Sequence, residues 1–91
     1  MIEHQELYVR FITLRGVGSK DHVASSPKSY VSYLNGVCKL LNQDITPVTL
    51  RSEDDVSNVL QRLSGRRAES TLRNYRTAMR QYVAMVQSEG L

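Results

Sequence analysis

The sequence predicts an all-α fold, a compact bundle of four to five helices. Three observations predict it. Apolar residues recur at helical spacing in four separate segments, no stretch alternates in the manner of a half-buried strand, and serine, proline and glycine stand where helices start and stop. The 91 residues make one domain, 41% of it hydrophobic, enough for a core that removes roughly 60–65% of the unfolded surface from water.

The elements follow in order. Leu7, Phe11 and Leu14 stand at i, i+4 and i+7, flanked by Tyr8 and Ile12, and predict a first helix ending near Gly16. The following GVGSKDHVASS reads as a loop; GVGSK lacks the full spacing of a phosphate-binding loop and follows a helix rather than a strand. Ser25-Ser26-Pro27 opens the second helix, because a serine cap followed by proline suits a first turn that has no use for the missing N–H. Tyr30, Leu34, Val37 and Leu41 form its stripe, widened by Tyr33 and Leu40. Gly36 inside it is less favourable than alanine by roughly 1 kcal/mol and marks close helix packing.

Residues 42–50 (NQDITPVTL) form an extended connection, with Pro47 blocking helix. The third helix starts at Ser52. Glu53, Asp54 and Asp55 fill its first turn against the positive end of the helix dipole, Ser52 and Asp55 approximate a capping box, and Gly65 closes it. Val56, Val59, Leu60 and Leu63 face inward. The fourth helix takes Ser70 as its cap and buries Leu72, Tyr75, Met79, Tyr82, Val83 and Val86. It runs out with the chain, so the expectation is one module of a larger protein.

Charge is unevenly distributed. Six arginines fall between Arg62 and Arg80 with Glu69 as the only acid, about +5 in a chain whose total is +3. On a 100° wheel Arg73, Arg76 and Arg80 lie within about 60° of one another, with Thr77 beside them and the apolar stripe about 120° away. Arg66 and Arg67 occupy the turn before that helix, and Arg62 lies one turn earlier. Guanidinium forks match phosphate geometry, and a helix fits a major groove. Asn74, Thr77 and Gln81 add polar reach. Five arginines on phosphates would make log K fall with log salt at a slope of about −4 to −5. The same residues would also suit a solvated helix face; the near-absence of compensating acids favours binding.

Other chemistry is poorly provided for. His4 and His22 lack metal-ligand spacing and read as solvated surface residues. Glu53, Asp54 and Asp55 are explained by helix capping rather than by a metal. Cys38, the only cysteine, excludes an internal disulfide, reads as a small core residue without a neighbouring base, and fits a reducing cytoplasm. The tyrosines fall on apolar stripes, as core residues rather than a base-stacking platform. No apolar run nears the ~20 residues that span a bilayer, and the N-terminus is not a secretory signal. No catalytic site, cofactor or metal is expected.

Three pieces, SPKSYVSYLNGVCKLL, SEDDVSNVLQRL and ESTLRNYRTAMRQYVAMV, resemble the core-binding (SAM-like) domain that precedes the catalytic domain of phage integrases and other tyrosine recombinases. The resemblance covers residues 29–86, about two thirds of the chain. It implies two crossed helical hairpins that contact one face of duplex DNA. By position it points to Arg73, Arg76, Thr77 and Arg80, and on the second helix to Lys28, Ser29 and Ser32. That family's catalytic arginines, histidine and tyrosine belong to a second, C-terminal domain, so no strand transfer is assigned here. The expectation is therefore a non-catalytic DNA-binding module with Arg62, Arg66, Arg67, Ser70, Arg73, Asn74, Arg76, Thr77, Arg80 and Lys28 at its interface. Two alternatives are a protein-interaction module with an acidic partner and the target-binding module at the front of a restriction endonuclease.

Overall fold

The computed structural model describes residues 1–17 and 26–91, which form α1 (Gln5–Leu14), α2 (Pro27–Leu41), α3 (Glu53–Leu63) and α4 (Glu69–Glu89). The loop predicted after Gly16, and His22 within it, fall mostly on residues 18–25, outside the described residues. The chain is all-α, and among the described residues the one trace of sheet is a parallel bridge between Ile2 and Ile45. Its radius of gyration, 12.2 Å, matches the value of about 12 Å for a single domain of this length.

Helix α2 begins as predicted. Pro27 holds the first turn, and the Ser26 hydroxyl accepts the Ser29 amide at 3.1 Å. It ends at Asn42, in the left-handed region (φ 53°), a conformation an asparagine tolerates better than most residues. At the start of α3 the Asp55 carboxylate reaches back and accepts the amides of Arg51 (2.9 Å) and Ser52 (3.2 Å), so the shorter acid does the work of a capping-box glutamate. The cap at the end of α3 is Ser64, one residue before the expected glycine. Gly65 follows with φ +81°, where a side chain would be strained.

Two expectations are corrected. The buried face of α1 is Tyr8 and Ile12, both fully enclosed, whereas Leu14 is 82% exposed and Leu7 and Phe11 are half-buried. Tyr8 wins its place because its hydroxyl donates to the Ala78 carbonyl of α4 at 2.9 Å, which lets the whole ring bury without an orphaned polar group. The cap of α4 is Ala68, not Ser70. The helix begins two residues earlier than the serine signal, with Leu72 N–H bonded to Ala68 O and Glu69 in the first turn at the positive dipole end.

Helix α4 packs against all three other helices, most extensively against α2. Its buried side chains are Tyr75, Ala78, Met79, Tyr82, Val83, Met85 and Val86. A second tyrosine tie runs from the Tyr82 hydroxyl to the Glu3 carbonyl at 2.7 Å, and the Tyr8 and Tyr82 rings lie 5.8 Å apart between centroids. The segment before α1 is held from the other side as well. Ile45 N–H, from the 42–50 connection, donates to Met1 O and Glu3 N–H to Ile45 O, and Ile2 and Ile45 are both buried.

Gly36 marks a close approach, as predicted. A β-carbon there would sit 2.5 Å from the Tyr75 hydroxyl oxygen and 3.0 Å from its ring carbon Cζ. Tyr75 is itself buried and lies against Tyr33, so it has little room to retreat. Gly36→Ala is expected to destabilise the domain by about 1–3 kcal/mol in urea unfolding, despite alanine's intrinsic helix preference of about 1 kcal/mol. Equal or greater stability would mean that the α2–α4 contact is looser than described.

Loss of hydration pushes the phenols of Tyr8, Tyr30 and Tyr82 above their ordinary value, with smaller contributions from Tyr30 on Tyr8, Tyr33 on Tyr30 and Glu3 on Tyr82. In the unfolded chain these groups ionise near pH 10, roughly the model-peptide value. The unfolded state therefore gives up protons first, and stability that is fully present below about pH 10 is lost as pH rises above it. Unfolding free energies measured from pH 8 to 12 should be flat at first and then fall. Tyr8→Phe is expected to reduce the alkaline slope while lowering stability at pH 8 through the lost hydroxyl bond.

Candidate nucleic-acid interface

The exposed arc of α4 is set by what the helix buries. With its apolar side committed to three neighbours, Arg73, Arg76, Thr77 and Arg80 remain outward, and all four are exposed. Arg73 and Arg76 flank an open groove of about 260 Å³ against α3, lined also by Leu60, Glu69 and Leu72. Arg76 also lines a second, wider groove of about 450 Å³, whose other wall includes Glu53, Ser57 and Gln61 of α3 and its cap Ser64. Among the described residues no carboxylate lies within ion-pair distance of Arg62, Arg66, Arg67, Arg73 or Arg76.

Arg80 differs from this group. Its Nε donates to Glu53 Oε1 of α3 at 3.1 Å, so one guanidinium of the predicted ridge is answered by an acid 27 residues away. Both side chains are more than half exposed, and exposed pairs contribute about 0–1 kcal/mol. Glu53 thus both stabilises the start of its helix and holds Arg80. Thr77 is engaged too, its hydroxyl donating to the Arg73 carbonyl one turn earlier at 3.1 Å.

The remaining predicted residues are scattered to different degrees. Arg66 and Arg67 are exposed in the α3–α4 turn, close in sequence to Ser64 of the wider groove. The Arg67 guanidinium folds back onto the Arg66 carbonyl at 2.7 Å. Ser70 is exposed in the first turn of α4, and Asn74 is half-buried. Arg62 is exposed on α3 but lies about 100° around the helix from Gln61 and about 140° from Ser57, and it lines neither groove. Lys28 and Ser32 are exposed on the first turns of α2 and line neither groove, while Ser29 is absorbed by the cap, its hydroxyl 2.8 Å from that of Ser26. The residues brought together are therefore Arg73 and Arg76, with Arg66 and Arg67 at the adjoining turn.

Three residues outside the predicted set share the surface. Arg15, the C-cap of α1, lines a third groove with Arg80, Thr77 and Gln81, and its guanidinium carbon lies 5.2 Å from the centre of the Phe11 ring. Its position depends on how α1 crosses α4, which no local pattern encodes. Half-buried Leu60 and Leu72 form an apolar floor between α3 and α4.

No protein-family model matches the chain, and neither does any curated protein or solved structure. Among the described residues no helix is long and apolar enough to cross a membrane, and no three His, Cys, Asp or Glu side chains gather in a metal-binding group. Asp55 is occupied as a helix cap and Glu53 by Arg80.

Because the Arg80–Glu53 pair is solvated, Arg80→Ala is expected to change the unfolding free energy by less than about 1 kcal/mol. A loss of several kcal/mol in urea titration would assign the pair a structural role that its exposure does not support.

Proposed function

We propose that this domain binds duplex DNA, largely through phosphates, and carries no catalysis of its own. The observation that supports it is the set of exposed arginines at the α3–α4 end, Arg66, Arg67, Arg73 and Arg76, with no carboxylate within ion-pair distance among the described residues. Such a cluster attracts a polyanion, releases its counterions on contact, and fixes the domain on the duplex without reading sequence. In keeping with the resemblance of its helices to a core-binding domain, we place it as one module of a cytoplasmic recombinase- or nuclease-type protein. There it would hold DNA for a separate catalytic domain. With Arg80 paired and Arg62 turned away, the α3–α4 surface alone supplies about four phosphate contacts, which contribute a slope of about −3 to −4 to the fall of log K with log salt.

A second reading has one observation in its favour. The apolar floor of Leu60 and Leu72 beside Arg73 and Arg76 also suits an acidic helix with an apolar stripe, carried by a partner protein.

Arg73→Ala combined with Arg76→Ala should leave the helical circular dichroism and thermal midpoint nearly unchanged. It should weaken binding to a fluorescent duplex by more than tenfold at moderate salt and flatten the salt slope by about two. Equal affinity for wild type and variant refutes the proposed surface, and absence of wild-type binding at physiological salt favours the acidic partner.

A further inference from the structure

On the far side of Arg80 from the α3–α4 grooves lies the groove of about 360 Å³ lined by Arg15, Glu53, Thr77, Arg80, Gln81 and Ala84. It is walled by the end of α1 and the start of α3 and floored by α4. We propose that it is a phosphate seat, extending the DNA footprint onto α1, in which a backbone phosphate takes Arg80 from Glu53 and is held from the opposite wall by Arg15. The proposal rests on the DNA-binding function proposed above and adds a residue and an exchange to it.

Four features carry the inference. First, Arg15 is exposed and, among the described residues, has no carboxylate within ion-pair distance. Its contact with the Phe11 ring steadies the guanidinium while its N–H donors remain for a ligand. Second, Arg80 is joined to Glu53 by one bond through Nε, and both partners are largely solvated, so the pair is weak enough to be exchanged for a phosphate. The terminal nitrogens of Arg80, the donors suited to a bidentate grip, have no carboxylate partner among the described residues.

Third, Gln81 lines the groove, and its Oε1 is buried with no hydrogen-bond partner among the described residues. With that oxygen turned inward, the amide nitrogen is the end left to donate to an anion in the groove. Fourth, Ala84 keeps the floor low where a larger side chain would fill it. The volume lies within the usual range for small-ligand sites, about 300–1,000 Å³, and far exceeds the share of one water, about 30 Å³.

Glu53 then acts as an internal competitor, shielding Arg80 until a phosphate arrives. Two single substitutions should move affinity in opposite directions. Binding of a fluorescent random-sequence duplex is measured by anisotropy across a salt series for wild type, Arg15→Gln, Glu53→Gln and the Arg73→Ala/Arg76→Ala variant, with circular dichroism to show that each is folded. Arg15→Gln should weaken binding several-fold and flatten the salt slope by about one. Glu53→Gln should tighten binding several-fold. If Arg15→Gln and Glu53→Gln both bind as wild type does while the Arg73/Arg76 variant has lost affinity, the seat is overturned and the DNA-binding surface on α3–α4 stands. If wild type does not bind the duplex even at low salt, the DNA-binding proposal falls and the seat with it.

Discussion

The packing of α4 is the constraint on which the rest depends. One side of this helix meets α1, α2 and α3, and buried polar ties run to and from it: Tyr8 donates to its Ala78 carbonyl, and its own Tyr82 donates to Glu3 ahead of α1. Each tie satisfies a phenol that could not otherwise leave water cheaply, and each joins segments at least 70 residues apart. Once the inward arc of α4 is fixed in this way, the outward arc has no freedom left. Arg73, Arg76 and Arg80 face solvent because Tyr75, Met79 and Tyr82 face the core.

That coupling links stability to electrostatics. A ridge of like charge on one helix is mildly self-repulsive, and its neighbours answer it unevenly. Glu53, placed at the start of α3 by the dipole preference of a helix N-terminus, meets Arg80. No described acid meets Arg73 or Arg76, and Glu69 shares their groove without forming an ion pair. The positive surface is thus graded along α4, unanswered near the α3–α4 turn and partly shielded a turn further on. A polyanion would meet the unanswered end first.

Much of the fold was legible because its signals are local. Ser26 with Pro27, Asp55 reaching back to residues 51 and 52, and the close approach at Gly36 each depend on residues a few positions apart or on the simple absence of a side chain. The misjudged features are those decided at long range. The first helix offers two apolar faces, Leu7–Phe11–Leu14 and Tyr8–Ile12, and only a carbonyl on α4 chooses between them. Ser70 looks like a cap, but where α4 begins is set by the turn from α3, and Ala68 occupies the position. For the site, the wheel placed Arg73, Arg76, Thr77 and Arg80 outward correctly. It could not show that α3 would bring Glu53 to Arg80, that Arg62 would turn aside, or that Arg15 would arrive from α1, since each depends on how helices cross.

The central claim is that the unanswered arginines near the start of α4 meet phosphate. Backbone and arginine side-chain N–H resonances followed during titration with a short duplex test it most directly. The account predicts shifts concentrated at residues 66–67 and 73–77, with Arg73 and Arg76 guanidinium signals moving most and residues 28–32 of α2 nearly still. Shifts centred on α2, or a titration that leaves the arginine signals in place, would contradict it.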